Sequence, residues 1–120
     1  MFLENEITTE TPAIPATAPT ESAIQPQARF ALGQIAATPG ALQLLDEYHA
    51  DIFELLVRHS SGNDWGDVGP EDSKTNDQAL ILGGRVLSSY TLRPGVADTR
   101  VWIITEWDRS VTTVLRPDEY

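Results

Sequence analysis

The chain has 120 residues, with 18 acidic against 8 basic side chains, a formal net charge of −10 and no cysteine. That length allows one domain at most, the missing thiols exclude disulfides and thiolate chemistry, and the acidity disfavours generic adhesion to nucleic-acid phosphates or anionic membrane. No apolar run approaches the roughly 20 residues of a membrane span and no basic segment followed by an apolar core marks a signal peptide, so a soluble, cytoplasmic protein is expected.

Residues 1–28 hold Pro12, Pro15, Pro19 and Pro26 among Thr, Ala, Ser and Glu, and Glu4, Glu6, Glu10 and Glu21 have no basic neighbour there. Such a stretch buries too little apolar surface to offset the entropy of ordering, which predicts a disordered, solvating tail and a single domain over 29–120. Arg29 to Ala36 alternates imperfectly and reads as a short edge or first strand. Thr38-Pro39 supplies an N-cap and a first-turn proline, so a helix is predicted from Pro39 to Glu47, with Leu42, Leu45 and Tyr48 as its apolar face.

Asp51 and Glu54 have capping-box spacing and open a second helix that ends before Gly62. Ile52, Phe53, Leu55, Leu56 and Val57 make it apolar nearly all round, which predicts a helix lying between other elements. Nothing from Tyr48 to Ala50 is a strong breaker, so one helix over 39–59 is the alternative. Gly69-Pro70, followed by Glu71 and Asp72, opens a third helix ending at Gly83-Gly84. Its apolar content is thin, which predicts a surface helix docked by its last turn.

Arg85 to Leu92 reads as a strand, Arg93-Pro94-Gly95 as a turn, and Val101–Trp107 with Val111–Leu115 as a hairpin on the polar turn Asp108-Arg109-Ser110. The predicted fold is α+β in two layers, with helices on one face of a small antiparallel sheet that ends in a three-stranded meander. Alternation puts Trp102, Ile104 and Glu106 on one face of their strand and Val101, Ile103, Thr105 and Trp107 on the other. Both faces are apolar enough to need cover, and the one away from the helices is a candidate partner surface.

Chemistry-bearing residues gather at the hairpin end. Glu106, Asp108, Arg109, Ser110 and Thr112 fall within seven residues, offering a carboxylate, a charge clamp and hydroxyl donors, with Trp65, Asp67 or His59 as residues the turn could approach. Asp, Arg and Ser are also what an ordinary hairpin turn uses, and a histidine at a helix C-terminus is explained by the helix dipole. No HExxH, calcium loop, cysteine pair or phosphate loop is present, so neither metal nor cofactor is expected.

The segments GNDWGDV, GGRVLSSY and WIITEWDRSVTTVLRPDEY resemble those of small proteins carried on bacterial plasmids and integrative elements, variously called plasmid-related proteins or type I restriction subunit M. The resemblance runs from about Phe30 to Tyr120 and implies a genetic setting without assigning catalytic residues. With the acidity and the apolar strands, it leads to the expectation of a protein-binding accessory factor of a mobile element that interferes with a host defence protein. The alternative comes from element order, which is similar to that of RelE-type and barnase-like ribonuclease toxins. That likeness implies metal-independent RNA cleavage by His59, Arg85, Tyr90, Glu106 and Arg109 on the sheet face.

Overall fold

The computed structural model describes residues 28–120. The expected tail lies outside the described residues, Ala28 excepted. Three helices and four strands follow in the order β1 (Gln34–Ala37), α1 (Pro39–Glu47), α2 (Ile52–Ser60), α3 (Pro70–Leu82), β2 (Val86–Thr91), β3 (Arg100–Thr105) and β4 (Val111–Leu115), with a closing 3-10 turn over Pro117–Glu119. The fold is α+β. The sheet order is β1-β4-β3-β2. β2, β3 and β4 form the antiparallel meander, whereas β1 joins β4 in parallel, making the sheet mixed where an antiparallel one was expected.

Caps set the helix boundaries. Thr38 accepts from the Ala41 amide at 3.1 Å with Pro39 in the first turn, and Asp51 accepts from the Phe53 amide at 3.0 Å. Between the two helices His49 takes φ 53, a left-handed conformation that a continuous helix cannot contain, so there are two helices and not one. α1 buries Ala41, Leu44 and Leu45, while Leu42, expected inside, is 51% exposed. The buried stripe follows three- and four-residue steps and includes a small residue that a search for large apolar side chains passes over.

α2 is also one-sided. Leu55, Leu56, His59 and Ser60 are buried, but Phe53 is 70% exposed, so the helix covers the sheet and is not enclosed by other elements as expected. α3 docks through Ala79 and Leu80 of its last turn, as expected, and also through Asn76 one turn earlier. The main core joins α1 and α2 to Tyr90, Val101, Ile103 and Val114 on one sheet face, each fully buried strand aliphatic contributing about 1.5–3 kcal/mol. A second cluster, Trp65, Ala79 and Val86 with Phe30, seals the α3 side. Phe30 was expected in the first strand. It serves this cluster instead, and β1 begins only at Gln34.

The two sheet edges differ. Along β2 the Asn76 side-chain amide donates to the Leu87 carbonyl at 2.7 Å and accepts from its N–H at 3.0 Å. Two residues on, Ser89 N–H donates to the Trp65 carbonyl at 3.0 Å and the Asp67 amide donates to the Ser89 carbonyl at 2.7 Å. A helix side chain and a loop thus complete the ladder that a fifth strand would otherwise make.

Candidate functional site

The β3–β4 turn is built from its own residues. Arg109 N–H donates to the Glu106 carbonyl at 2.9 Å, and Asp108 accepts from the Ser110 amide at 3.1 Å and the Ser110 hydroxyl at 2.6 Å. That hydroxyl, then the amide, hold the Asp108 carboxyl below the usual carboxylate range. Arg109 sits at φ 61. Its guanidinium turns inward, donating to the carbonyls of Gly84 at 2.5 Å, Glu106 at 3.0 Å and Ala79 at 3.3 Å, and lies 5.2 Å from the Phe30 ring centre.

Arg109 therefore ties the hairpin tip to the C-terminal end of α3. Three large apolar side chains adjoin these anchor points in the chain and stay in solvent: Trp107, next to Glu106, is 71% exposed, and Ile81 and Leu82, between Ala79 and Gly84, are 82% and 81% exposed. Glu106 and Asp108 flank Trp107 in the chain, so the indole has an acidic neighbour on each side. Alternation put Trp107 on the face of Val101, Ile103 and Thr105, but the strand ends at Thr105 and the indole beyond it is exposed.

Inside the domain His59 is fully buried, Nδ1 2.6 Å from the Ser88 hydroxyl and Nε2 2.9 Å from the Thr105 hydroxyl. The network has a direction. Thr112 donates its only hydroxyl hydrogen to the Leu32 carbonyl at 2.6 Å, so across the 2.7 Å Thr105–Thr112 contact Thr105 must be the donor. Thr105 then accepts from Nε2–H. Burial, followed by the charge of Arg109, depresses the imidazole pKa to about 3, so the ring is neutral and Ser88 donates to Nδ1. Phe30 meets the ring edge-on at 5.2 Å and Trp65 at 5.9 Å.

The remaining candidates are dispersed. Trp65 is buried and donates to Asp77 at 3.1 Å. Tyr90 is buried, its hydroxyl on the Asp64 carbonyl at 2.7 Å and its pKa pushed up to about 12 by burial. Arg85 donates to the Tyr120 hydroxyl at 2.5 Å. Asp67 accepts from Thr91 and lies 3.5 Å from Arg100. The structure thus gathers Glu106, Asp108, Arg109 and Ser110 in the turn and puts Thr112 with His59 in the interior. It leaves Trp65 behind Phe30, and Asp67, Arg85 and Tyr90 on other elements.

At the opposite end of the sheet a cleft of about 460 Å³ is lined by Thr91, Arg100, Arg116 and Asp118 among others. Its arginines are already matched, Arg100 by Asp67 and Arg116 by Asp118, both at 3.5 Å. Among the described residues no cluster of three or more His, Asp or Glu could hold a metal ion, and no helix is long and apolar enough to cross a membrane. Sequence reading missed Ile81 and Leu82, whose signal was an apolar pair placed directly before a Gly-Gly helix stop. Comparison of the chain with protein families, curated proteins and solved structures finds no match.

Proposed function

We propose that this chain is a small protein-binding accessory factor whose contact surface is the junction of the hairpin tip and the end of α3. One observation carries the reading. Trp107, Ile81 and Leu82 are each more than two-thirds exposed beside a junction fastened by three Arg109 hydrogen bonds. Fastening the backbone beneath exposed aromatic and aliphatic side chains lowers the ordering cost of binding, which suits them to anchor an interface. Glu106 and Asp108 on either side of the indole favour a partner with apolar anchors surrounded by basic side chains. The setting on a mobile element, with a host defence protein as target, belongs to this proposal through the sequence resemblance alone.

The ribonuclease alternative would draw on His59 and Tyr90, whose polar atoms are engaged inside the domain. The binding reading is preferred for that reason. Tagged full-length protein should retain a stoichiometric partner from lysate of a bacterial host, and a Trp107→Ser, Leu82→Ser double variant should lose it without a fall in Tm. Equal recovery by the variant, or RNA turnover by pure wild-type protein with no partner recovered, would refute the proposal.

A further inference from the structure

β1 is the sheet edge on which the fold spends no closing device other than shortness. Gln34 N–H donates to the Ser110 carbonyl at 2.9 Å and Thr38 N–H to the Val114 carbonyl at 3.0 Å, which fixes the alternation of the parallel ladder. The N–H and C=O groups of Ile35 and Ala37 consequently point away from β4. Among the described residues none of these four groups has a partner. Gln34, Ile35 and Ala36 are exposed, and the strand contains no charge, proline or bulge, the usual means of discouraging strand addition.

We infer that β1 receives an extended segment of a partner protein as a fifth strand, and that basic residues flank the segment's paired core. Backbone affinity comes from Ile35 and Ala37, whose four groups span about 7 Å of edge. Ile35 belongs to the helix-facing side yet remains 47% exposed, so an apolar residue of the added strand on that side would complete its cover.

The flanking charge is read from both ends of β1. Ser110, whose carbonyl holds Gln34, is itself held by Asp108, and Thr38 donates its hydroxyl to Glu119 at 2.6 Å. The nearby arginines are committed, Arg109 to backbone carbonyls and Arg116 to Asp118. A carboxylate thus marks each end of the open edge. The same arrangement argues against a second copy of this chain. Two-fold pairing would bring equally acidic ends together, and a four-residue strand buries far less than the roughly 1,000 Å² of a stable dimer. This site shares with the hairpin-tip surface the Asp108 carboxylate and the premise that the partner is a protein, while the backbone groups that define it lie on β1.

The test uses the full chain, isotope-labelled, and a synthetic peptide of alternating valine and threonine with two lysines at each end. Free protein at low concentration should show fast amide exchange at Ile35 and Ala37, and the peptide should slow both by at least about tenfold. Replacing its lysines by glutamates, N-methylating its alternate backbone amides, or making the Ala37→Pro variant should each weaken binding by about tenfold or more. Ala37→Pro removes an outward N–H, whereas Ala36→Pro removes one that faces β4 and should lower Tm instead. If Ala37→Pro does not fold, the N-methylated peptide makes the same distinction. Slow exchange at Ile35 and Ala37 in dilute free protein would show the edge already filled by this chain, and protection rising with protein concentration would show a second copy. Either result overturns the inference. So does absence of binding, or shifts confined to Ile81, Leu82 and Trp107, the last of which would support the hairpin-tip surface while removing the edge.

Discussion

Asn76 acts as a strand for Leu87: one side-chain amide, presented by a helix, both donates to and accepts from a single residue of β2, at 2.7 and 3.0 Å. Asn76→Ala should therefore cost about 2–3 kcal/mol in urea denaturation, because it leaves a donor and an acceptor unmatched at a largely buried edge. Asn76→Asp keeps the acceptor but sets a carboxylate against the Leu87 carbonyl. Its deficit relative to wild type at the same pH should shrink on acidification, since the protonated acid can donate again. A deficit unchanged with pH would show that the amide is not acting as a donor.

Acid should find His59. Its folded pKa, about 3, lies below the ordinary 6.5, so the unfolded chain binds the proton first as pH falls. The contribution is fully present above about pH 6.5 and is lost through the interval down to about 3, with a slope of up to about 1.4 kcal/mol per pH unit. Chemical denaturation at pH 7, 6, 5 and 4 should show this slope. His59→Gln should be less stable at pH 7 yet flatter over that interval, and an equal slope in the variant would assign the acid loss elsewhere.

For Arg109 the expected effect is on stability before any effect on partners. Arg109→Ala removes three hydrogen bonds to carbonyls of α3, its flank and the turn, a loss of about 2–3 kcal/mol, well above that of an exposed charge. Arg109→Lys should recover part of it. Because the residue lies at φ 61, Arg109→Gly should be less damaging than Arg109→Ala by about 1 kcal/mol, and the reverse order would contradict the left-handed turn.

Two glycines should resist any side chain. A Cβ on Gly33 would strike the carbonyl oxygens of Arg109 and Ser110, and one on Gly66 the carbonyl oxygen of Ser89, both at positive φ. Gly83 has positive φ but open space around it. Gly33→Ala and Gly66→Ala should therefore cost at least about 1 kcal/mol more than Gly83→Ala by thermal or urea denaturation, a comparison that separates steric contact from backbone strain.

Local signals carried the fold. Thr38-Pro39, Asp51 and Gly69-Pro70 act within three or four residues, and the helix starts they predicted are those observed within one residue. The candidate site was less legible because its determinants are distant. His59 reads as a residue for a helix dipole until Ser88 and Thr105, 29 and 46 positions away, supply its partners. Arg109 bonds backbone carbonyls of α3 and its flank, a kind of partner that no charge pattern announces. Asp108, Arg109 and Ser110 were correctly read as a turn, but Glu106 and Trp107 were assigned to the strand, and the exposure of the indole depends on where β3 stops.

β1 also determines the order in which contacts become available. The meander forms between neighbours along the chain, whereas Thr112 meets Leu32 across 80 residues and Glu119 meets Thr38 across 81. Closing so long a loop is entropically costly and is rewarded only once β4 is already in place. During folding β1 should therefore be the last strand to arrive, and in the native state the first to leave. Until it arrives, β4 is itself an unpaired margin of the sheet, and a nascent chain passes through a stage in which the surface used for its own completion is open to any other strand.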